Sequence, residues 1–551
     1  MTRVRDILWR MRLRQSLPDW LLFPVFFVAI YLSHSALLRL PYFWDEAGYY
    51  IPAAWDFFRT GSLVPYTTLT NAHPPLPSIY LAMWWKMGGF TPITTRVAMC
   101  VVAAMALTAI WRLSLRLISN STVAAWTVTL TALYPVWFAQ STLAHADLLA
   151  AACTLWALVD ALPDTTADHS RRPWRAAIWF SLAVLAKETA VVTPLALSAW
   201  EIATAIRVPE IRAAKIRRAA WWLLCLLPLM AWYGYHYSKT GFIFGNPEYL
   251  RYNATSTFTV ERFVQAIRIR AWHLGFHMNM YVPVLCTIGA MFLRPIAVEA
   301  DGPRNPGSAR LRPRISVGAQ GRIYWLILAN AIAFSVLGGA LLTRYLLPVF
   351  PLILILCVST WQRRVLWWHA LCLFTAGAFL LGLVHNPAYG FAPEDNLAYR
   401  DMIVLHQQAI DEVGKLDEGG VVLSAWPVTS ELSDPFLGYL TKPMQVVKVD
   451  DFSPPQMEHL AGEPAEYTSA IIFSTKFDAG NHLEALFPGA EHSEEKYFGM
   501  HHDMHPQAVA DLLHGRVVWM TERNGQWAAV LLFPRGPVIA KRQVPAPSYN
   551  R

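Results

Sequence analysis

Charge is scarce in this chain. Of 551 residues only 15% are Asp, Glu, Lys or Arg, against about 25% in soluble domains, which excludes an ordinary water-soluble protein over most of its length. Cysteine is also sparse. The six, Cys100, Cys153, Cys225, Cys286, Cys357 and Cys372, fall in or beside apolar runs, with none in the tail. That excludes a disulfide framework and a CxxC metal site. The first apolar run lacks a small-residue cleavage signature, so it reads as a retained span and not a removed signal peptide. No internal repeat stands out. The net charge of +8 comes from basic residues gathered between apolar runs, a mark of membrane orientation and not of nucleic acid binding.

What the chain has in plenty is apolar sequence: 55% hydrophobic residues and 24 Trp. Runs near 20 residues match the thickness of a bilayer core. Eleven spans are expected, near 19–40, 93–116, 122–140, 146–162, 175–187, 189–206, 220–237, 274–293, 323–342, 346–361 and 365–384. The N-terminal segment holds Arg3, Arg5, Arg10, Arg12 and Arg14, which predicts a cytoplasmic N-terminus. Alternation then puts the loops 163–175, 207–218, 294–322 and 362–364 inside, and each is basic. Lys187 and Glu188 interrupt an apolar run too long for one span, which is therefore split into two meeting at the outer face.

The same parity puts PYFWDEAGYY, residues 41–50, outside, at the head of a first outer loop 41–92. Within that loop AAWDFFRTG and LPSIYLAMWWKMGG predict short amphipathic helices punctuated by Pro and Gly. Their Trp and Phe residues suit the headgroup layer. A second outer loop, 238–273, is polar with short helical stretches. From residue 385 to 551, strand-like runs such as GVVLSAWPV and SAIIFSTKF alternate with helical segments such as 399–416, predicting a small α/β extracytoplasmic domain after a membrane domain of residues 1–384.

Ionisable groups at membrane depth are costly and mark functional sites. Those expected near outer span ends are Asp45, Glu46, His73, Asp147, Lys187, Glu188 and Arg344. Carboxylates beside cations at an interface suit a reaction on a lipid-linked anion: a base takes a proton from an incoming hydroxyl or amine, and cations hold a phosphate as it leaves. The bland alternatives are helix caps for Asp45, Glu46 and Asp147, a solvated Lys187–Glu188 pair, and a snorkelling Arg344. In the tail MHHDMHP, with His501, His502, Asp503 and His505, is a candidate metal-binding stretch.

WDEAGYY, HPPL at 73–76, HADLLAA at 145–151, LAKETAVVTPLAL at 185–197 and TRYLLPVFPLILIL at 343–356 together resemble the GT-C membrane glycosyltransferases, in particular the protein O-mannosyltransferase and aminoarabinose transferase group. The resemblance covers about residues 19–361. It implies a polytopic helical GT-C fold in the cell (inner) membrane, a polyprenyl-phosphate-sugar donor, and a protein, lipid or glycan acceptor. By the same resemblance Asp45 is the catalytic base and Asp147 a second outer-face acid, while His73 and Lys187 are donor-phosphate contacts. The tail resembles the extracytoplasmic domain of some members more loosely. Two departures stand out: Gly48 where some relatives have Arg, and Ala72 where some have Glu, a proposed metal ligand. A divalent cation is therefore an open cofactor. The rival readings are a transporter or flippase of lipid-linked sugar, and a non-catalytic glycolipid-binding protein of the same fold.

Overall fold

The computed structural model describes residues 19–162, 172–253, 259–299, 309–337, 339–462, 466–475, 477, 496–498 and 501–534. The N-terminal arginines Arg3 to Arg14, with Arg171 and Arg304, lie outside the described residues. Two compact units divide the chain: Met1–Arg400 with Ala479–Met500, and Asp401–Asp478 with His501–Arg551. The division falls beyond the expected 384/385 boundary because residues 394–399 belong to the first unit by their contacts. Glu394 meets Arg344, Asp395 meets His277, and Tyr399 lies beside Thr142.

The first unit is helical. Pro92–Ile118 and Glu188–Arg207 are each long and apolar enough to cross a bilayer, among the described residues. Several of the other expected spans are broken, while Ala146–Ala161, Pro173–Ala186, Phe350–Arg364 and Trp368–Val384 are each one helix, and the breaks have local causes. The run 122–140 forms Ser121–Leu133 and Pro135–Gln140 because Tyr134, held extended at φ −60°, ψ 125°, precedes a proline, a position that disfavours helix. The expected span 274–293 is an elbow. Val260–Gly275 continues through a turn at His277–Asn279 and meets Tyr281–Met291 at 97°. Met278 and Asn279, both in the left-handed region, make that bend. The break at Lys187 falls where the two short spans were expected to meet, between Pro173–Ala186 and the turn Glu188–Val191.

The helices carry large apolar side chains on their outer faces: Val25, Val28 and Leu32; Leu227 and Met230; Leu373, Phe374, Leu380 and Leu381. Contiguous apolar surface of this kind belongs against lipid, and the protein is a membrane protein. A short hairpin pairs β1 (Ala297–Glu299) with β2 (Ala309–Leu311).

In the segment 41–92, Ile51–Thr60 is a helix with Pro52 in its opening turn and Gly61, at φ 75°, closing it. Leu76–Gly88 follows after Pro74 and Pro75. Between them the chain is tied down by Asp56, which is fully buried. Its Oδ2 accepts bonds from the Tyr66 and Thr67 amides and the Thr67 hydroxyl, at 2.8–2.9 Å.

The second unit is an α/β fold built on a five-stranded mixed sheet. Its strands are β3 (Val421–Ala425), β4 (Gln445–Val449), β5 (Ser469–Phe473), β6 (Arg516–Arg523) and β7 (Gln526–Leu532), in the order β4-β3-β5-β7-β6. β3 runs parallel to β4 and β5, and β7 runs antiparallel to β5 and β6. β5 is buried along its whole length, as a central strand with covered faces requires. A buried His406–Glu431 pair (2.9 Å) sits in its core. In the His-rich stretch Asp503 accepts bonds from the Thr475 amide and hydroxyl. Among the described residues no group of three His, Cys, Asp or Glu side chains is arranged to hold a metal ion.

Candidate active site

The site of the first unit is built around Arg344. This residue sits in the turn Thr343–Leu346, is 2% exposed, and meets three carboxylates. Its Nη2 lies against Asp45, its Nη1 against Glu394, and its Nε is 3.3 Å from Asp147 Oδ2. Asp147 Oδ1 accepts a 2.7 Å bond from Lys187 Nζ, and that ammonium lies 4.2 Å from the centre of the Tyr345 ring. Four of the sequence-expected residues, from positions 45, 147, 187 and 344, are thus brought into one cluster. Asp45 is its most accessible carboxylate. Its side chain is 34% exposed, against 3% for Asp147 and 4% for Glu394.

Beside the cluster a small recess of about 20 Å³ runs along the helix Ala146–Ala161. Asp147, Lys187, Arg344 and Tyr345, with Thr154, Thr189, Thr193 and Asn330, are its polar lining, and Ala150, Ala151, Ala190, Phe334 and Pro348 its apolar lining.

Local backbone explains how these side chains are aimed. Asp147 lies in the first turn of its helix, but it points to Lys187 and Arg344 and does not cap the helix. Lys187 has extended φ and ψ (−151°, 125°), so consecutive side chains diverge. Lys187 goes to Asp147, and Glu188 goes to His73 Nδ1 at 2.9 Å. The alternative of a solvated Lys187–Glu188 pair is not what the structure shows. His73 stacks on Tyr50 and meets the edges of Tyr49 and Tyr249.

Trp44 and Ala72, the residues immediately before Asp45 and His73, both have positive φ, 48° and 58°. Such conformations cost about 1–3 kcal/mol each in non-glycine residues and persist only where the surroundings impose them. Around Ala72 the surroundings are visible. Trp232 Nε1 donates to the Ala72 carbonyl, Asn246 Nδ2 to the Thr70 carbonyl, and His236 Nε2 is 2.7 Å from the Thr70 hydroxyl. Gly245, at φ +88°, backs onto this loop, and a Cβ there would lie 2.9 Å from the Asn71 carbonyl carbon. Gly245→Ala is expected to displace the loop that carries His73 and to cost about 1–3 kcal/mol, read as a lowered unfolding midpoint of the detergent-purified protein.

Glu46 stands apart from its neighbour. It is fully buried, and both its oxygens meet Arg96, with Nη2 at 2.8 Å. It also accepts from the Phe43 and Ala144 amides. Arg96 in turn donates to the Pro41 and Thr142 carbonyls at 2.9 Å. The pair thus joins the turn bearing Asp45 to the segment leading to Asp147. Among the described residues its contacts all tie one segment of the protein to another, as a strut does.

Residues beyond the sequence expectation also belong to the site. Glu394 completes the acid set. His145 is fully buried, bonded through Nδ1 to Gln140, and held well below the usual imidazole range by burial and by Arg344, Lys187 and Arg96 nearby. The motif HADLLAA contained His145, but the nearby cations that keep it neutral are far away in sequence. The three acids are turned onto a guanidinium, and among the described residues no three His, Cys, Asp or Glu side chains here are arranged to hold a metal ion.

No protein-family model matches the chain, and no curated protein matches it in sequence. Its architecture is that of the GT-C membrane glycosyltransferase fold. The chain is similar in structure to ArnT, the aminoarabinose transferase from Cupriavidus metallidurans, solved in the apo state and bound to undecaprenyl phosphate. In both comparisons 14% of residues are identical, 92% of this chain and 97% of that chain are covered, and the TM-score is 0.50. The archaeal oligosaccharyltransferase AglB from Archaeoglobus fulgidus, in complex with an inhibitory peptide and a dolichol-phosphate, matches at 10% identity over 82% of this chain and 69% of its own, with a TM-score of 0.39.

Proposed function

We propose that the protein is a polyprenyl-phosphate-dependent glycosyltransferase, which moves a sugar from lipid phosphate to a protein, lipid or glycan acceptor with inversion. The observation that carries this reading is the meeting of Asp45, Asp147, Lys187 and Arg344 in one cluster beside a small recess of mixed polar and apolar lining. Asp45, the accessible acid, takes the proton of the acceptor hydroxyl or amine. The freed oxygen or nitrogen bonds to the anomeric carbon, the bond from that carbon to the phosphate oxygen breaks, and the electron pair leaves with the lipid phosphate. Lys187, Arg344 and His73 hold the charge that develops there. Asp147 holds Lys187 and Arg344 side by side so that both face the recess. The ArnT fold, seen with undecaprenyl phosphate in that protein, supports the choice of donor class.

In this reading the N-terminus is cytoplasmic, while the recess and the C-terminal unit face the extracytoplasmic side of the inner membrane. Reconstitution of the full chain in vesicles with labelled polyprenyl-phosphate sugars tests it. Transfer to an added acceptor is the expected result. Movement of intact lipid-linked sugar between leaflets without any cleavage of the donor overturns it in favour of a flippase.

A further inference from the structure

Glu394 is the acid whose surroundings least favour a charge. It lies in the turn Pro393–Asp395, which is pinned on both sides. His277 Nε2 and the Thr343 hydroxyl bond to Asp395 Oδ2 at 2.9 and 2.8 Å, and Gln140 Nε2 donates to the Glu394 carbonyl. The Glu394 side chain therefore approaches Arg344 from a rigid support. One of its oxygens meets Nη1; the other, Oε2, is buried with no hydrogen-bond partner among the described residues. A buried, half-satisfied carboxylate is costly when ionised. The charge count points the same way: Asp45, Asp147 and Glu394 face two cations, Arg344 and Lys187, leaving one negative charge uncompensated.

We propose that Glu394 is the neutral member of this cluster and a positioning residue for the transfer: as an undissociated acid it holds one edge of Arg344 and leaves the cationic charge to Asp45, Asp147 and the departing phosphate. The inference rests on the transferase reading above. Glu394 neither gives nor takes a proton during turnover. The groups facing it are Arg344 and, across the guanidinium, Asp45 and Asp147; Asp395 is its neighbour in the turn, and neutral His145 stands behind Gln140. Burial pushes Glu394 up, Arg344 pulls against that rise, and Asp45, Asp395 and Asp147 add to it, leaving it at about 8. The raised value sets the sign. The proton is held below about 8 and lost as the pH rises through it.

The test is the pH profile of kcat/KM for the donor, with wild type and Glu394→Gln compared in the same membrane preparation. Wild-type activity is expected to fall about tenfold per pH unit above the midpoint, mainly through a rising donor KM. Glu394→Gln, which keeps the neutral shape, is expected to lose the alkaline limb, so that its kcat/KM no longer falls through that midpoint. An alkaline limb left unchanged in the variant overturns the proposal, because the group titrating there is then not Glu394. Binding of undecaprenyl phosphate to wild type provides a second readout, independent of the chemistry and of the variant's folding. Affinity that does not weaken through the same midpoint also overturns the proposal. If no donor is cleaved at any pH but binding shows this midpoint, the transferase reading falls and the assignment of Glu394 stands.

Discussion

Replacing Asp45 by Asn is expected to lower sugar transfer by about 10²- to 10⁴-fold, the usual contribution of a positioned general base, without raising the KM for the donor. The asymmetry follows from the site. The substituted amide keeps the shape and still faces Arg344, but the change removes a negative charge from the place where a phosphate must sit. Donor binding should therefore hold or tighten while kcat collapses. The measurement is steady-state transfer from a labelled polyprenyl-phosphate sugar, with acceptor and donor varied separately. Equal kcat in wild type and variant would remove Asp45 as the base. A loss confined to donor KM would reassign it to binding.

The second large effect is expected at Arg96. Arg96→Met leaves Glu46 fully buried with its counter-ion gone, and breaking a buried pair in this way costs about 3–5 kcal/mol. The Phe43 and Ala144 amides still bond to Glu46, which offsets little, since an amide carries no full charge. Adding Glu46→Gln should restore part of the loss, because no unpaired charge remains, although the single carbonyl oxygen of Gln accepts from only one of the two amides that bond to separate Glu46 oxygens. Thermal unfolding of the purified proteins in detergent gives the stabilities. If the double variant is no more stable than Arg96→Met alone, the strut is not the reason for the pair. Activity adds a separate discrimination: a Glu46 that takes part in the chemistry predicts a double variant that is stable and inactive, whereas a strut predicts that activity returns with stability.

The two predictions divide a motif that is continuous in sequence. Asp45 and Glu46 are adjacent and both acidic, and in sequence only the family resemblance singles out Asp45 as the base. Their fates separate because Trp44 is forced into the left-handed region and a π turn, Glu46–Tyr50, follows at once. One carboxylate is thereby turned toward Arg344 and the other into the protein. The strut exists only because Arg96, Pro41, Thr142 and Ala144 arrive from other helices and turns.

What the sequence by itself determined is the set of places where the chain has to change course or to keep a charge. Long apolar runs demand a bilayer, Pro and Gly stop helices at Gly61 and Gly89, and the interruption at Lys187 separates two helices. Asp45, Asp147, Lys187 and Arg344 were legible because an ionisable residue at membrane depth needs a partner and a purpose. The tertiary structure alone decided the partnerships. Nothing local couples Glu188 to His73 or Lys187 to Asp147; the extended backbone at Lys187 and the packing of distant helices do so. Glu394 escaped detection for the same reason. It follows the last apolar run, where a charge looks ordinary, and becomes exceptional only when folding carries it against a guanidinium already shared by two other acids. Periodicity and composition report the solvent each segment prefers; which charges meet depends on contacts across long stretches of chain, such as Asp45 with Arg344, separated by 299 residues.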